Sequence, residues 1–99
     1  MHFSEQYPEI NDALNNLRER CQAAKHLDPK TSMLVKLAAA FGAGLGNSVK
    51  AHTAQALALG ISEDQIEETI LVNLPSIGYG KTVLALNWVH EVTGKAPFV

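Results

Sequence analysis

Cysteine is nearly absent from this 99-residue sequence: Cys21 stands alone, so no disulfide can close within the chain. Excess positive charge is absent too. Eight Lys and Arg stand against ten Asp and Glu, a net charge of -2, which leaves no basic excess to neutralise nucleic-acid phosphates. No apolar run approaches the roughly 20 residues that a membrane-spanning helix needs. The opening MHFSEQYPEI lacks the basic and apolar regions of a secretory signal, so the expected location is the cytoplasm. Repeats, low-complexity tracts and sustained period-two alternation are all missing, and with the last goes any expectation of strands. What is present is ordinary for a folded globular chain: 46% hydrophobic and 18% charged residues, with a mean hydropathy of +0.00. The expectation is one domain over residues 1–99, since domains typically run to about 100–150 residues.

The apolar residues that are present fall at helical spacing. Ile10, Leu14, Leu17, Cys21 and Ala24 alternate steps of four and three, a narrow seam on a helix over about 8–25 that suits packing against a partner helix. A cysteine in that seam reads as a small buried hydrophobe. Asp28 followed by Pro29 opens a second helix, with Leu34, Leu37, Ala38 and Phe41 on its inner face. Gly42, Gly44 and Gly46 mark a turn, after which Asn47 or Ser48 is expected to cap a third helix running to about Leu59. Val49, His52, Thr53, Ala56 and Leu57 form its inner face, and Gly60 ends it. Ser62 and Gln65 have capping-box spacing, and Ile61 and Ile66 have that of a hydrophobic staple. The fourth helix carries Ile66, Thr69, Ile70 and Asn73, widened by Leu71 and Leu74, until Pro75 and the Gly78-Tyr79-Gly80 stretch break the path. The last is expected from about Thr82 to Thr93, apolar on more than one face, with Trp88 in the core or at a subunit contact. The fold class is all-α, a small bundle of about five helices, and its excess of apolar faces points to self-association.

From about Leu27 to Gly94 the sequence resembles the carboxymuconolactone decarboxylase family, which includes the alkylhydroperoxidase D-like proteins. The resemblance rests on LDPKT before a helix, the Ala-rich helix, KAHTAQALALGIS with His52, Ala56 and Gly60 in register, the turn SEDQIEE, and Gly80 as a hinge before the final helix. It implies an alkylhydroperoxidase D-like helical fold assembled into trimers, or into hexamers built from dimers. In the redox branch of that family a Glu precedes a Cys-x-x-Cys, and a His follows it by four residues. With His52 as anchor, the cysteine positions fall on Leu45 and Ser48 and the Glu position on Met33. Thiol peroxidase chemistry needs an attacking thiolate and a resolving thiol, which Leu and Ser cannot supply. The lactone decarboxylase branch lacks the cysteines as well and keeps the histidine.

The resemblance therefore implies a cofactor-free lyase acting on a small carboxylated lactone or related acid. His52 is its candidate acid/base and Ser48, one turn earlier on the same face, the candidate for orienting the imidazole or binding substrate oxygen. The N–H groups around Gly46, Asn47 and Ser48 offer a seat for an anion, and Tyr79 and Lys81 are candidates for the pocket mouth. Lys50 reads as a solvated charge, and His90 as structural. His2, His26, His52 and His90 show no ligand spacing, so no metal site is expected. The alternative is a non-catalytic helical oligomer that binds a small ligand or protein partner, with Met33, Phe41 and Leu45 closing an apolar wall over His52.

Overall fold

Local signals place most helix boundaries. The computed structural model describes residues 1–99. Helices run over Phe3–Gln6 (α1), Pro8–Gln22 (α2), Pro29–Gly42 (α3), Gly46–Ala58 (α4), Glu63–Leu71 (α5), Leu74–Ile77 (α6) and Tyr79–Thr93 (α7). Five are the expected ones, and α1 and α6 are single turns. Asp28 caps α3 by accepting from the Thr31 N–H at 2.7 Å and the Thr31 hydroxyl at 3.0 Å. These bonds hold the Asp28 carboxyl below its usual range. Ser62 and Gln65 form the complete capping box of α5, and both residues of the Ile61–Ile66 staple are buried.

Glycine ends α3 and α4 in the same way. At Gly44 (φ 71°) and Gly60 (φ 84°) the chain enters the left-handed region. Leu45 N–H then donates to Ala40 O, and Ile61 N–H to Ala56 O, so the last carbonyls of each helix are satisfied.

Three boundaries depart from the sequence expectation. Helix α4 starts at Gly46 with Leu45 as its cap residue, so Asn47 and Ser48 sit inside the first turn and cap nothing. Helix α7 starts at Tyr79 instead of Thr82, because Gly78 (φ 108°) makes the break and Gly80 lies within the helix. Leu71 is exposed and does not widen the buried face of α5, which stops there before α6 begins.

The core lies among α3, α4, α5 and α7. Leu37 and Phe41, Val49 and Ala56, Ile66 and Ile70, and Ala85, Leu86 and Val89 meet there with Ile61 and Ala40. Each large side chain so buried contributes about 1.5–3 kcal/mol. Thr53 and Thr82 are buried as well, and their hydroxyls donate to Val49 O and Gly78 O one turn back, both at 2.7 Å. Helices α3 and α4 form an antiparallel hairpin. Helix α4 runs alongside α7 in the same direction, since Gly46 meets Trp88 and Lys50 meets Glu91.

Helix α2 stands apart. It packs on α1, holds no buried residue and touches the other helices only marginally. No residue of its seam is buried: Ile10, Leu14 and Leu17 are exposed, and Leu17 and Cys21 border an open groove against α3. Cys21, expected to be buried, is exposed for the same reason. No helix is long and apolar enough to cross a membrane.

Candidate functional site

The first two turns of α4 carry the main candidates on one helix. Gly46, Asn47 and Ser48 form the opening turn, whose N–H groups have no acceptor within the helix, and His52 follows Ser48 by one turn. Gly46 is required by packing: a Cβ there would lie 2.9 Å from Trp88 Cε2 and 3.3 Å from its Nε1. The indole thus covers one side of this opening turn, with Trp88 half-buried between α7 and α4.

His52 is half-buried on this helix. Its Nδ1 lies 3.2 Å from Gln55 Oε1, one turn on, and Nε2 has no partner in the chain. With an amide oxygen facing Nδ1, that nitrogen carries the proton and donates it, leaving a free lone pair at Nε2. No carboxylate orients the ring. The expected apolar wall is not built over it either: Phe41 lies in the core, Leu45 is exposed, and Met33 lines a groove beside α2. Gln55 is a site residue that the sequence reading missed, although its i+3 spacing from His52 was the signal.

Tyr79 and Lys81 are exposed at the start of α7. Tyr79 precedes Trp88, the residue level with Gly46, by nine positions, which is about 13 Å of helix. These two are therefore not brought to His52 within one protomer. Lys50, expected to be solvated, pairs with Glu91 of α7.

A second polar cluster lies on the other side of α7. His90 is buried; its Nε2 is 2.9 Å from Glu67 Oε1 and its Nδ1 3.0 Å from Ala96 O. Both ring nitrogens face oxygens, so the ring donates to both only when it carries two protons. Burial pushes the Glu67 carboxyl up, but hydrogen bonds and charge from His90 and Lys95 outweigh it and hold the group below its ordinary range. Lys95 bonds Glu67 at 3.1 Å, which raises the ammonium above its usual value with help from Glu63. Asn87 pairs with the Phe98 backbone at 2.8 and 3.1 Å, and the Phe98 ring lies 5.1 Å from His90. The cluster fastens the C-terminal tail onto α7, the structural role expected of His90.

Two open cavities border the helices. One of about 910 Å³ lies between α2 and α3, lined by Leu17, Cys21, Leu27, Met33 and Leu59 with Arg18, Lys25 and Lys36 at its edge. The other, about 330 Å³, lies beside Trp88 under the tail. His52 lines neither.

The fold and this helix define a small all-helical protein built on an α3–α4 hairpin with a half-exposed histidine. The sequence model of the carboxymuconolactone decarboxylase family matches residues 8–91, and the chain belongs to that family, an alkylhydroperoxidase D-like fold. The match takes in α2, which the resemblance read from sequence left outside. An uncharacterized protein of Methanocaldococcus jannaschii is 29% identical over 87 residues, covering 88% of this chain and 81% of that protein. No solved structure matches the chain.

Proposed function

We propose that this member of the family is a cofactor-free lyase that decarboxylates a small carboxylated lactone or related acid, with His52 as acid/base. The observation that carries the reading is the state of His52: a half-buried imidazole whose Nδ1 is held by Gln55 and whose Nε2 is free. In such a reaction the bond to the carboxyl carbon breaks, CO2 leaves, and the electron pair passes into the conjugated carbonyl. The free Nε2 takes up a proton, from the substrate carboxyl group or from solvent, and delivers it to the carbon that CO2 has left. The opening turn of α4 faces the developing negative charge, with Ser48 available to hold a substrate oxygen. Since Tyr79, Lys81 and both cavities lie away from His52 in one protomer, the reading includes a site completed by a neighbouring copy, in trimers or in hexamers built from dimers.

The test is turnover of carboxymuconolactone by the purified protein, followed by absorbance and CO2 release, with His52→Ala and Gln55→Ala in parallel. Loss of turnover by at least about 100-fold in His52→Ala, with folding intact, supports the assignment. An unchanged rate overturns it. One observation favours a second reading, a non-catalytic binding protein: a cavity of about 910 Å³ lies between α2 and α3 and excludes His52. Absence of turnover by the unaltered protein, together with saturable binding of a small carboxylate, selects that reading.

A further inference from the structure

The groove between α2 and α3 gathers exposed apolar side chains and unpaired cations in one place. Leu17, Leu27 and Leu59 are 59%, 54% and 41% exposed, and all three line it, with Cys21 and Met33 between them. Its volume of about 910 Å³ suits a small molecule. Helical spacing builds the walls. Leu17, Cys21 and Ala24 make an apolar ridge, and Arg18, Gln22 and Lys25, each one residue on, make a ridge of donors beside it. Across from them Lys36 follows Met33 by one turn of α3. Lys50 and Lys95 are held in ion pairs elsewhere, whereas Arg18, Lys25 and Lys36 have no carboxylate partner, Lys36 although it is half-buried. Asp28, the one acid on the wall, is turned to Thr31. The rim is therefore cationic in a chain whose net charge is -2.

We infer that this groove binds a single-chain amphipathic carboxylate, its head between Arg18 and Lys36 and its apolar tail laid over Cys21 and Met33 toward Leu27 and Leu59. The distribution of charge sets the direction. The link over 23–28 joins the two walls at one end, where Lys25 and Asp28 share the rim and offset each other. Arg18 and Lys36 stand at the other end with no acid on the wall, so a carboxylate there gains two charge-assisted bonds. The tail covers apolar surface that the chain leaves in water. The wall from Asp28 to Lys36 is about 12 Å long, the reach of an extended chain of roughly ten carbons. Such a wall is too short for a stable protein partner, whose contact takes in about 20–30 residues a side. The site goes beyond the lyase reading, since His52 lines no part of the groove, and it supplies the ligand class for the binding reading.

Isothermal titration of decanoate into the full chain should show saturable binding of one decanoate per chain. Decanol and decyltrimethylammonium keep the tail and lose or reverse the charge, and each should bind at least about tenfold more weakly. Cys21 is the only thiol and lines the groove, so it reports occupancy: its alkylation by iodoacetamide should slow at least about fivefold at saturating decanoate. Lys36→Glu and Arg18→Glu should each weaken decanoate at least about tenfold and Lys25→Gln less than about threefold, with helical circular dichroism unchanged. Met33→Trp, which fills the floor, should abolish binding. The His52→Ala chain should bind as tightly as the unaltered protein, so this site and the lyase reading stand or fall separately. Absence of decanoate binding, equal affinity for decanol, or Cys21 alkylation unslowed with decanoate bound overturns the assignment. So does loss of binding in His52→Ala, which would move the ligand to α4.

Discussion

Helices α3, α4, α5 and α7 and helix α2 follow the same apolar periodicity and reach opposite environments. In the first group each stripe finds another within the chain, and Leu37, Val49, Ile66, Ile70 and Val89 lose all exposure to solvent. In α2 the stripe is as regular and nothing is buried. The difference teaches that periodicity reports a face able to pack, whereas the partner depends on where the chain goes next. The body's hairpins turn back through short glycine-containing links. The connection from Gln22 to Pro29 leads away from α2 and leaves the groove open.

The sharpest way to break the contrast is to truncate one side chain in each region. Phe41→Ala should destabilise the body by about 3–5 kcal/mol, through lost transfer energy and a cavity among α3 and its neighbours. Leu14→Ala, measured by urea unfolding at concentrations too low for association, should cost under about 0.5 kcal/mol. Equal losses would show that α2 is packed as tightly as the body.

His90→Ala should cost about 2 kcal/mol, since it leaves Glu67 with Lys95 alone and frees the tail at Ala96. Acid sensitivity carries the sign. The Glu67 carboxyl titrates lower in the folded chain than in the unfolded one, so its contribution is fully present above the ordinary value of 4.5 and is lost as pH falls through the lower folded value. Glu67→Gln should flatten the fall in Tm below pH 4.5, and a curve parallel to the unaltered protein's would remove the ion pair from the account.

Gly46→Ala should cost about 1–3 kcal/mol, because the new methyl meets the Trp88 ring inside contact distance. A shift in Trp88 fluorescence should accompany it, and adding Trp88→Leu should recover part of the loss. The smallest effect is expected at His52→Ala, within about 0.5 kcal/mol, as for a half-exposed side chain with one neutral partner. A drop of 2 kcal/mol or more by urea titration would make that histidine a packing residue and sink its catalytic role.

Much of this was legible before any coordinates. Asp28-Pro29, Ser62 with Gln65, and the paired terminations at Gly44 and Gly60 are local chemistry acting within a few residues, and the backbone follows each. The start of α4 was not legible, because Gly46 is chosen by the indole of Trp88, 42 positions away. The start of α7 was misplaced because two glycines lie two residues apart and sequence alone does not say which takes the positive φ. The His52–Gln55 contact obeys a local rule. His90 with Glu67 spans 23 positions on two helices and left no mark in either segment.

The division follows the range of the forces. Helix identity, caps, terminations, the all-α class and the absence of thiols at Leu45 and Ser48 come from residue types and near neighbours, so the chain of letters was enough for them. Which faces are covered, which histidine is locked and which is free, and where the cavities open depend on contacts between distant segments. Those are set by the packing of whole helices, and a periodic stripe is the same whether its partner lies in the same chain or in another.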